Sequence, residues 1–428
     1  MNESVLVIGA GSSGLFTSLD LATRGMDVTL IDRSTVGAGT SWRFHGVLHS
    51  GARYAVSDAP AARECNTEAS VLRKIASHCI EETGGMYVAL SKDDVAYGEK
   101  LLDALEKLRI RHLRINGKEA IEGEPNLSRD TREGILVPDG VLKGGMFLCS
   151  LVITAMQNGV TILPRTQVSE FHSNRKDGIV SVVLSGSDGR KRKLGVDAVV
   201  CCTGPWTAHV LKGFGVRLRV LQAAGAMVVI EGRHTFKVIS RMRPPSDGDI
   251  VVPYGWQSIV GTTSEIVRNP DRFVLRRNAI NRLLKEASAM LPSVSASRLV
   301  RCFHSVRPLI HEGGAGNAGR SATRDFNIES EAEGEKSNLI SVIGGKMTTS
   351  RLVGEKAADA VCKKLGVKRK GKTVNIHLFN PYRNAAKEDV FPADGALPAS
   401  LLDSMDADYL LPAMMLEFLN RQIRGGRA

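Results

Sequence analysis

Gly9, Gly11 and Gly14 fill the three glycine positions of G-x-G-x-x-G in the stretch VLVIGAGSSGLFTSLDLATRGMDVTLID, and Asp32 closes it. Two such glycines let a backbone turn tightly and approach a pyrophosphate, while the third lets a helix pack closely on a strand. The open N–H groups of the helix start then face phosphates, and a carboxylate ending the next strand accepts hydrogen bonds from an adenosine ribose. An ordinary βαβ glycine turn would not need that acid, so the stretch predicts dinucleotide binding. Further along, His45, His49, Arg53 and Tyr54 share Val36–Tyr54, which holds too many glycines for a regular helix. Arg301, His304 and Arg307 lie on the strand-like run Val300–Arg307, and Lys346 lies in the turn GGKMTT, 344–349. Imidazoles move protons near neutral pH, and arginine and lysine hold anions.

The elements that must position these residues follow from the apolar pattern. Val5–Ile8 and Val28–Ile31 are short β-branched runs of the kind buried on both faces of a parallel sheet. Asp197–Cys202 is a strand that stops at the glycine turn Thr203-Gly204-Pro205-Trp206. Asn338–Ile343 is another, followed by Gly344–Thr349 and a helix over Arg351–Leu365. Between them the pattern predicts helices at Ala59–Cys79, with Pro60 in the first turn, at Tyr97–Leu108 and at Gly145–Asn158. Strands are expected at Gly85–Leu90, Gly134–Asp139, Val160–Leu163, Gln167–Ser173, Ile179–Leu184 and Leu194–Cys202, with Arg190–Lys193 as a solvated hairpin tip. Short strands from Arg217 to Ser264 predict a second, largely antiparallel sheet, followed by a long helix over Asp271–Met290. Gly313–Arg324 reads as a surface loop, Asn380–Pro398 as a linker, and Leu401–Ile423 as an amphipathic tail interrupted by Pro412.

This order predicts an α/β chain. A Rossmann-like nucleotide domain is assembled from 1–85, 146–216 and 298–366, with a substrate domain inserted as 86–145 and 217–297 and a tail at 367–428. At 428 residues the chain exceeds one ordinary core, which suits two packed domains. No apolar run reaches the roughly 18 residues of a membrane span, and the first apolar run leads straight into the glycine turn, as a core strand does and a signal peptide does not. None of the seven cysteines forms C-x-x-C, which predicts reduced buried thiols in a cytoplasmic enzyme and no structural metal. The net charge of +12 suits an anionic substrate, an anionic membrane surface or nucleic acid. Only 5% of residues are aromatic and the basic ones are dispersed, so nucleic acid is the weakest of the three.

Several stretches resemble the FAD-dependent glycerol-3-phosphate dehydrogenases of the D-amino-acid-oxidase-like superfamily, most of all the large subunit of the anaerobic bacterial enzyme. They are GAGSSG (9–14), HGVLHSGARYAV (45–56), RPPSDGDIVVP (243–253), IVGTTS (259–264), SVRPL (305–309) and GGKMTTSRLVGEKAADAVCKKLG (344–366). The resemblance implies a GR2/DAO-type fold holding FAD. Its pyrophosphate would lie at Gly9, Gly11, Ser13 and Gly14, and its ribose on Asp32 beside Arg33. Thr40, Ser41 and the loop with His45, Gly46, Leu48 and His49 would run beside the flavin. Val168 would meet the adenine, and Thr203 and Gly204 the pyrophosphate side. Gly344, Gly345, Lys346, Met347 and Thr348 would line the pyrimidine edge, where a positive group stabilises the anionic reduced ring. Arg53, Tyr54, Arg307, Lys346 and Thr348 would surround the substrate, with His49, Arg307 and Lys346 as the catalytic set.

The chain departs from that family in two places. Asp32 is shorter than the glutamate common in flavin folds, and no cysteine follows Cys362, where the anaerobic large subunit continues into a cysteine-bearing domain. The expected reaction is oxidation of sn-glycerol 3-phosphate, with electrons passing to quinone or a partner protein, in the cytoplasm or at the inner face of its membrane. Two other readings stay open. Arg53 and Arg307 would clamp the carboxylate of a 2-hydroxy acid or amino acid equally well. The chain would alternatively be a flavin-loaded assembly component that docks a partner or membrane through Leu401–Ile423.

Overall fold

The computed structural model describes residues 2–174, 176, 178–218, 220–309, 326–330 and 337–381. The expected loop at Gly313–Arg324, the amphipathic tail and all but the start of the linker lie outside them. Two large sheets carry the fold. The first has six strands in the order Phe326–Ser330, Leu339–Gly344, Ala198–Cys201, Ser4–Ile8, Asp27–Ile31 and Thr161–Leu163. All neighbours are parallel except the edge strand Phe326–Ser330. Ser4–Ile8 is central, and Val5, Leu6 and Val7 are each 0% exposed, as a strand covered on both faces must be.

Helix Ser12–Thr23 crosses one face and packs against Ser350–Leu365 and Gly144–Gln157. Phe16, Leu19, Phe147, Val353 and Val361 meet there in one apolar core with Val5 and Val7. Each fully buried large side chain of this kind stabilises the fold by about 1.5–3 kcal/mol. Helix Ala59–Ile75 starts on Asp58, whose carboxylate accepts the Ala61 N–H at 3.1 Å, with Pro60 in the first turn. Helix Ser350–Leu365 ends at Gly366 in the left-handed region.

The second sheet has nine strands and is antiparallel apart from Val238–Arg241, which runs parallel to Gly85–Ala89. Its long strand Leu221–Glu231 pairs with Gln257–Gly261 and Glu265–Val267 on one side and with Leu299–Leu309 on the other. The predicted α/β class and the second, mostly antiparallel sheet are both present. Two three-stranded sheets complete the described residues, one of them Thr166–Asn174, Gly178–Gly186 and Lys191–Gly195.

Several elements differ from expectation. Leu194–Cys202 is two strands, because Lys191–Gly195 pairs in the small sheet and Ala198–Cys201 enters the parallel one. Lys191–Lys193 therefore lies in a strand, and the tip is the turn at 187–190, closed by Gly186 N–H on the Arg190 carbonyl at 3.0 Å. The long helix begins only at Arg277, since Asn269 and Pro270 hold the preceding chain in an irregular loop. The strand with Arg307 was grouped with the nucleotide domain, but it pairs along its length with Leu221–Glu231 of the second sheet.

Candidate active site

The two sheets enclose an open cavity of about 1400 Å³. At one end, the glycine turn joins Ser4–Ile8 to helix Ser12–Thr23. Gly9 has φ +103°, and a Cβ there would lie 2.6 Å from the carbonyl of Cys202, the residue after the neighbouring strand. A Cβ on Gly14 would strike the Gly9 carbonyl, so the third glycine serves packing and does not line the cavity. Gly11, Ser12 and Ser13 do line it, and Gly11 at the N-cap has no side chain to cap the first turn. Ser41 Oγ accepts the Ser12 N–H at 3.0 Å.

Asp32 ends the second parallel strand with its carboxylate held by the backbone: Oδ2 accepts Ala10 N–H at 2.9 Å and Oδ1 accepts Ser34 N–H at 2.8 Å. Burial raises its pKa, and those two N–H bonds oppose the shift. Each oxygen retains a lone pair for a diol. The open helix start, the glycine cradle and this anchored acid together fit a dinucleotide. Arg33 sits at the rim, stacked 4.8 Å over the Trp206 ring, and both donate to Asp271 Oδ1 at 2.9 Å. Val168 lines the cavity beside a bulge in its strand, and Thr203 and Gly204 line it where Ala198–Cys201 ends.

At the other end, pieces from both sheets meet. Thr40 Oγ1 donates to the Val306 carbonyl at 2.6 Å, tying the loop after Asp32 to the strand that carries Arg307. His45 is half-buried, and its Nδ1 accepts Val47 N–H at 3.1 Å, which places the proton of the neutral ring on Nε2. His49 is buried, stands edge-on to both His45 and Tyr54 at 5.5 Å, and has no hydrogen-bond partner on Nδ1. Burial, then Arg53 and Arg307, lowers the pKa of His45 to about 3. Burial, then His45, Arg53 and Lys346, pushes His49 well below its usual value. Both rings are neutral at physiological pH.

Arg53 follows Gly51, which has φ +99°, and its Nη2 contacts both oxygens of Asp249 at 2.9 and 3.1 Å. Arg307 faces Ala223 across the ladder and donates through Nη2 to the Thr263 carbonyl at 3.0 Å. A Cβ on Gly225 would lie 3.3 Å from that Nη2, so the glycine leaves room for the guanidinium. Lys346 projects from the turn after Leu339–Gly344, with Nζ 5.1 Å from the Tyr54 ring centroid. Ser41, Gly344, Gly345, Met347 and Thr348 also line the cavity.

Gly46 and Leu48 do not line it. Gly46 gives its carbonyl to Leu142 N–H at 2.6 Å, and Leu48 packs in the core below the first sheet, so both shape the loop from behind. Sequence reasoning missed Asp249, Trp206 and Asp271. Asp249 stood within RPPSDGDIVVP, but nothing in that stretch pointed to a pairing with Arg53, 196 residues away.

The family model described as FAD dependent oxidoreductase, DAO, matches residues 4–360. Anaerobic glycerol-3-phosphate dehydrogenase subunit A1 of Haloferax volcanii is 35% identical over 389 residues, which cover 88% of this chain and 66% of the relative. The corresponding subunit of the Escherichia coli K12 enzyme is 32% identical over 380 residues, covering 88% and 70%. The chain thus spans about two thirds of the length of these relatives. Among solved structures, glycine oxidase from Geobacillus kaustophilus aligns with a TM-score of 0.71 at 18% identity, covering 88% of this chain and 99% of that one. Glycerol-3-phosphate dehydrogenase from Bacillus halodurans, complexed with FAD, aligns at 0.68 and 20% identity, covering 88% and 68%. The glycine cradle, the anchored Asp32 and the match over residues 4–360 lead to one conclusion: the chain belongs to the DAO family of FAD dependent oxidoreductases.

Proposed function

We propose that this enzyme oxidises sn-glycerol 3-phosphate to dihydroxyacetone phosphate, with electrons passing from its FAD to quinone or a partner protein. The observation that carries the reading is the meeting of Arg53, Arg307, Lys346 and His49 in one cavity that begins at the glycine cradle. A phosphate monoester needs several directed N–H donors in a partly dry pocket, which two arginines supply. The relatives named for glycerol-3-phosphate dehydrogenase point to the same substrate. Bound FAD supplies a two-electron acceptor for the hydride from C2.

The chain's own residues do the rest. Arg53 and Arg307 bind and orient the phosphate, with Tyr54 and Thr348 closing the wall. Arg307 and Lys346 lower the cost of alkoxide charge, and the neutral imidazole of His49 takes the hydroxyl proton. Among the described residues no helix is long and apolar enough to cross a membrane. A quinone acceptor would bring the protein to the cytoplasmic membrane as a peripheral enzyme, which its +12 charge suits.

Anaerobic mixing of FAD-loaded protein with glycerol 3-phosphate, a 2-hydroxy acid and an amino acid tests the reading. Bleaching by the phosphate ester with formation of dihydroxyacetone phosphate is expected. Bleaching by a carboxylate substrate instead would replace the reading, and a flavin left oxidised by every substrate would make the chain a binding or assembly component.

A further inference from the structure

Asp249 is 0% exposed and stands immediately before strand Ile250–Tyr254 of the second sheet. Its Oδ2 accepts Ser246 N–H at 2.7 Å, and its carbonyl accepts Arg241 N–H at 2.9 Å. The turn from Arg241 to Asp249 therefore fixes the carboxylate independently of any ligand. Both of its oxygens then meet a single nitrogen of Arg53, Nη2. An arginine–carboxylate pair built for its own strength uses two nitrogens in parallel. Arg351 does so with Glu68, through Nε at 2.8 Å and Nη2 at 2.6 Å. Asp249 leaves Nε and Nη1 of Arg53 outside the pair, and Arg53 lines the cavity with its side chain 13% exposed.

We infer that Asp249 is the positioning residue for anion recognition: it grips Arg53 by Nη2 and aims the remaining N–H groups at the substrate phosphate. The inference rests on the proposed oxidation of a phosphate ester. Asp249 also balances the charge of Arg53, so this arginine selects by the direction of its donors more than by attraction. Without Asp249 the buried guanidinium would swing toward whatever acceptor was nearest, and the phosphate would lose a preformed seat. Beside Arg307, the second sheet thus contributes to recognition a residue that touches neither substrate nor flavin.

Asp249→Asn keeps the shape and an acceptor for Ser246 but removes the charge. In the FAD-loaded protein it is expected to raise KM for glycerol 3-phosphate at least tenfold with a smaller fall in kcat, and to weaken competitive inhibition by inorganic phosphate in parallel. Because Asp249 acts through Arg53, adding the same change to Arg53→Ala is expected to raise KM less than twofold further. An unchanged KM in Asp249→Asn, or a full additional loss in the Arg53→Ala background, would overturn the inference. If Asp249→Asn fails to load FAD, the double variant, which removes both charges, is compared with Arg53→Ala: equal KM supports the inference, while a further loss or failure to load FAD overturns it. Wild-type turnover is measured first. If wild type leaves the phosphate ester unoxidised, the functional reading fails, and perturbation of the oxidised flavin spectrum by inorganic phosphate, compared between wild type and Asp249→Asn, decides the role of Asp249 by itself.

Discussion

The backbone N–H of His49 donates to Thr348 Oγ1 at 3.2 Å, joining two residues 299 positions apart. The next residue is pinned as well, since Ser50 N–H and Oγ–H both donate to Asp139 Oδ1 at 2.7 Å. The imidazole is thus held through its backbone from two sides, by the turn after the last parallel strand and by an acid beyond Glu133–Val137. Rigid support of this kind is what a proton acceptor needs to meet a hydroxyl at a fixed distance.

Thr348→Val would leave the buried His49 N–H without its acceptor, a loss of about 1–3 kcal/mol. Thr348→Ser keeps the hydroxyl and should stay close to wild type. Denaturant midpoints and the rate of anaerobic flavin reduction, measured on both variants, check this. Equal behaviour of the two would show that the hydrogen bond does not matter.

The neutral histidines set a pH dependence. In the unfolded chain each imidazole binds a proton below about 6.5. In the folded protein the pKa of His45 is lowered to about 3 and that of His49 also lies well below its usual value. Between these values the unfolded state holds more protons, so stability rises with pH across that window and falls as pH drops below about 6.5. The denaturant midpoint should decline from about pH 6.5 to about pH 4.5, and His45→Gln should flatten the decline. The acid limb of kcat/KM assigned to His49 should also lie below about pH 6.5.

Gly354 tests how the nucleotide unit is packed. A Cβ there would lie 2.6 Å from the backbone carbon of Phe16, where helix Ser350–Leu365 crosses Ser12–Thr23. Alanine would gain about 1 kcal/mol of helix propensity. Overpacking against backbone costs about 1–3 kcal/mol and should win, because the neighbour has no rotamer to change. Gly354→Ala should lower the thermal midpoint and weaken FAD binding, as followed by flavin fluorescence. A raised midpoint would mean that the two helices separate freely.

The sequence exposed some of this design and hid the rest for physical reasons. The cradle from Gly9 to Asp32 was legible because its function is local: the turn, the helix start and the acid all lie on one βαβ unit. The turn at Gly344–Thr348 was legible because strand, glycines and helix repeat the same logic. That the Arg307 strand pairs with the second sheet was hidden, because strand pairing depends on partners such as Ala223, far along the chain. Lys191–Lys193 looked like a tip because four consecutive basic residues carry no apolar alternation, yet backbone pairing to Gly178–Gly186 holds them in a strand. Asp249 gave no local sign at all, since its role exists only once the loop with Arg53 folds against the second sheet.

The most direct test of the central claim, that cationic groups from both sheets seat an anion beside the flavin, is an anaerobic titration of FAD-loaded Arg307→Ala with glycerol 3-phosphate. The account predicts that FAD content matches wild type while the rate of flavin reduction falls at least a hundredfold, in keeping with the loss of about 3 kcal/mol when a charged hydrogen-bond donor is removed. Reduction at the wild-type rate, with unchanged dependence on substrate concentration, would contradict it.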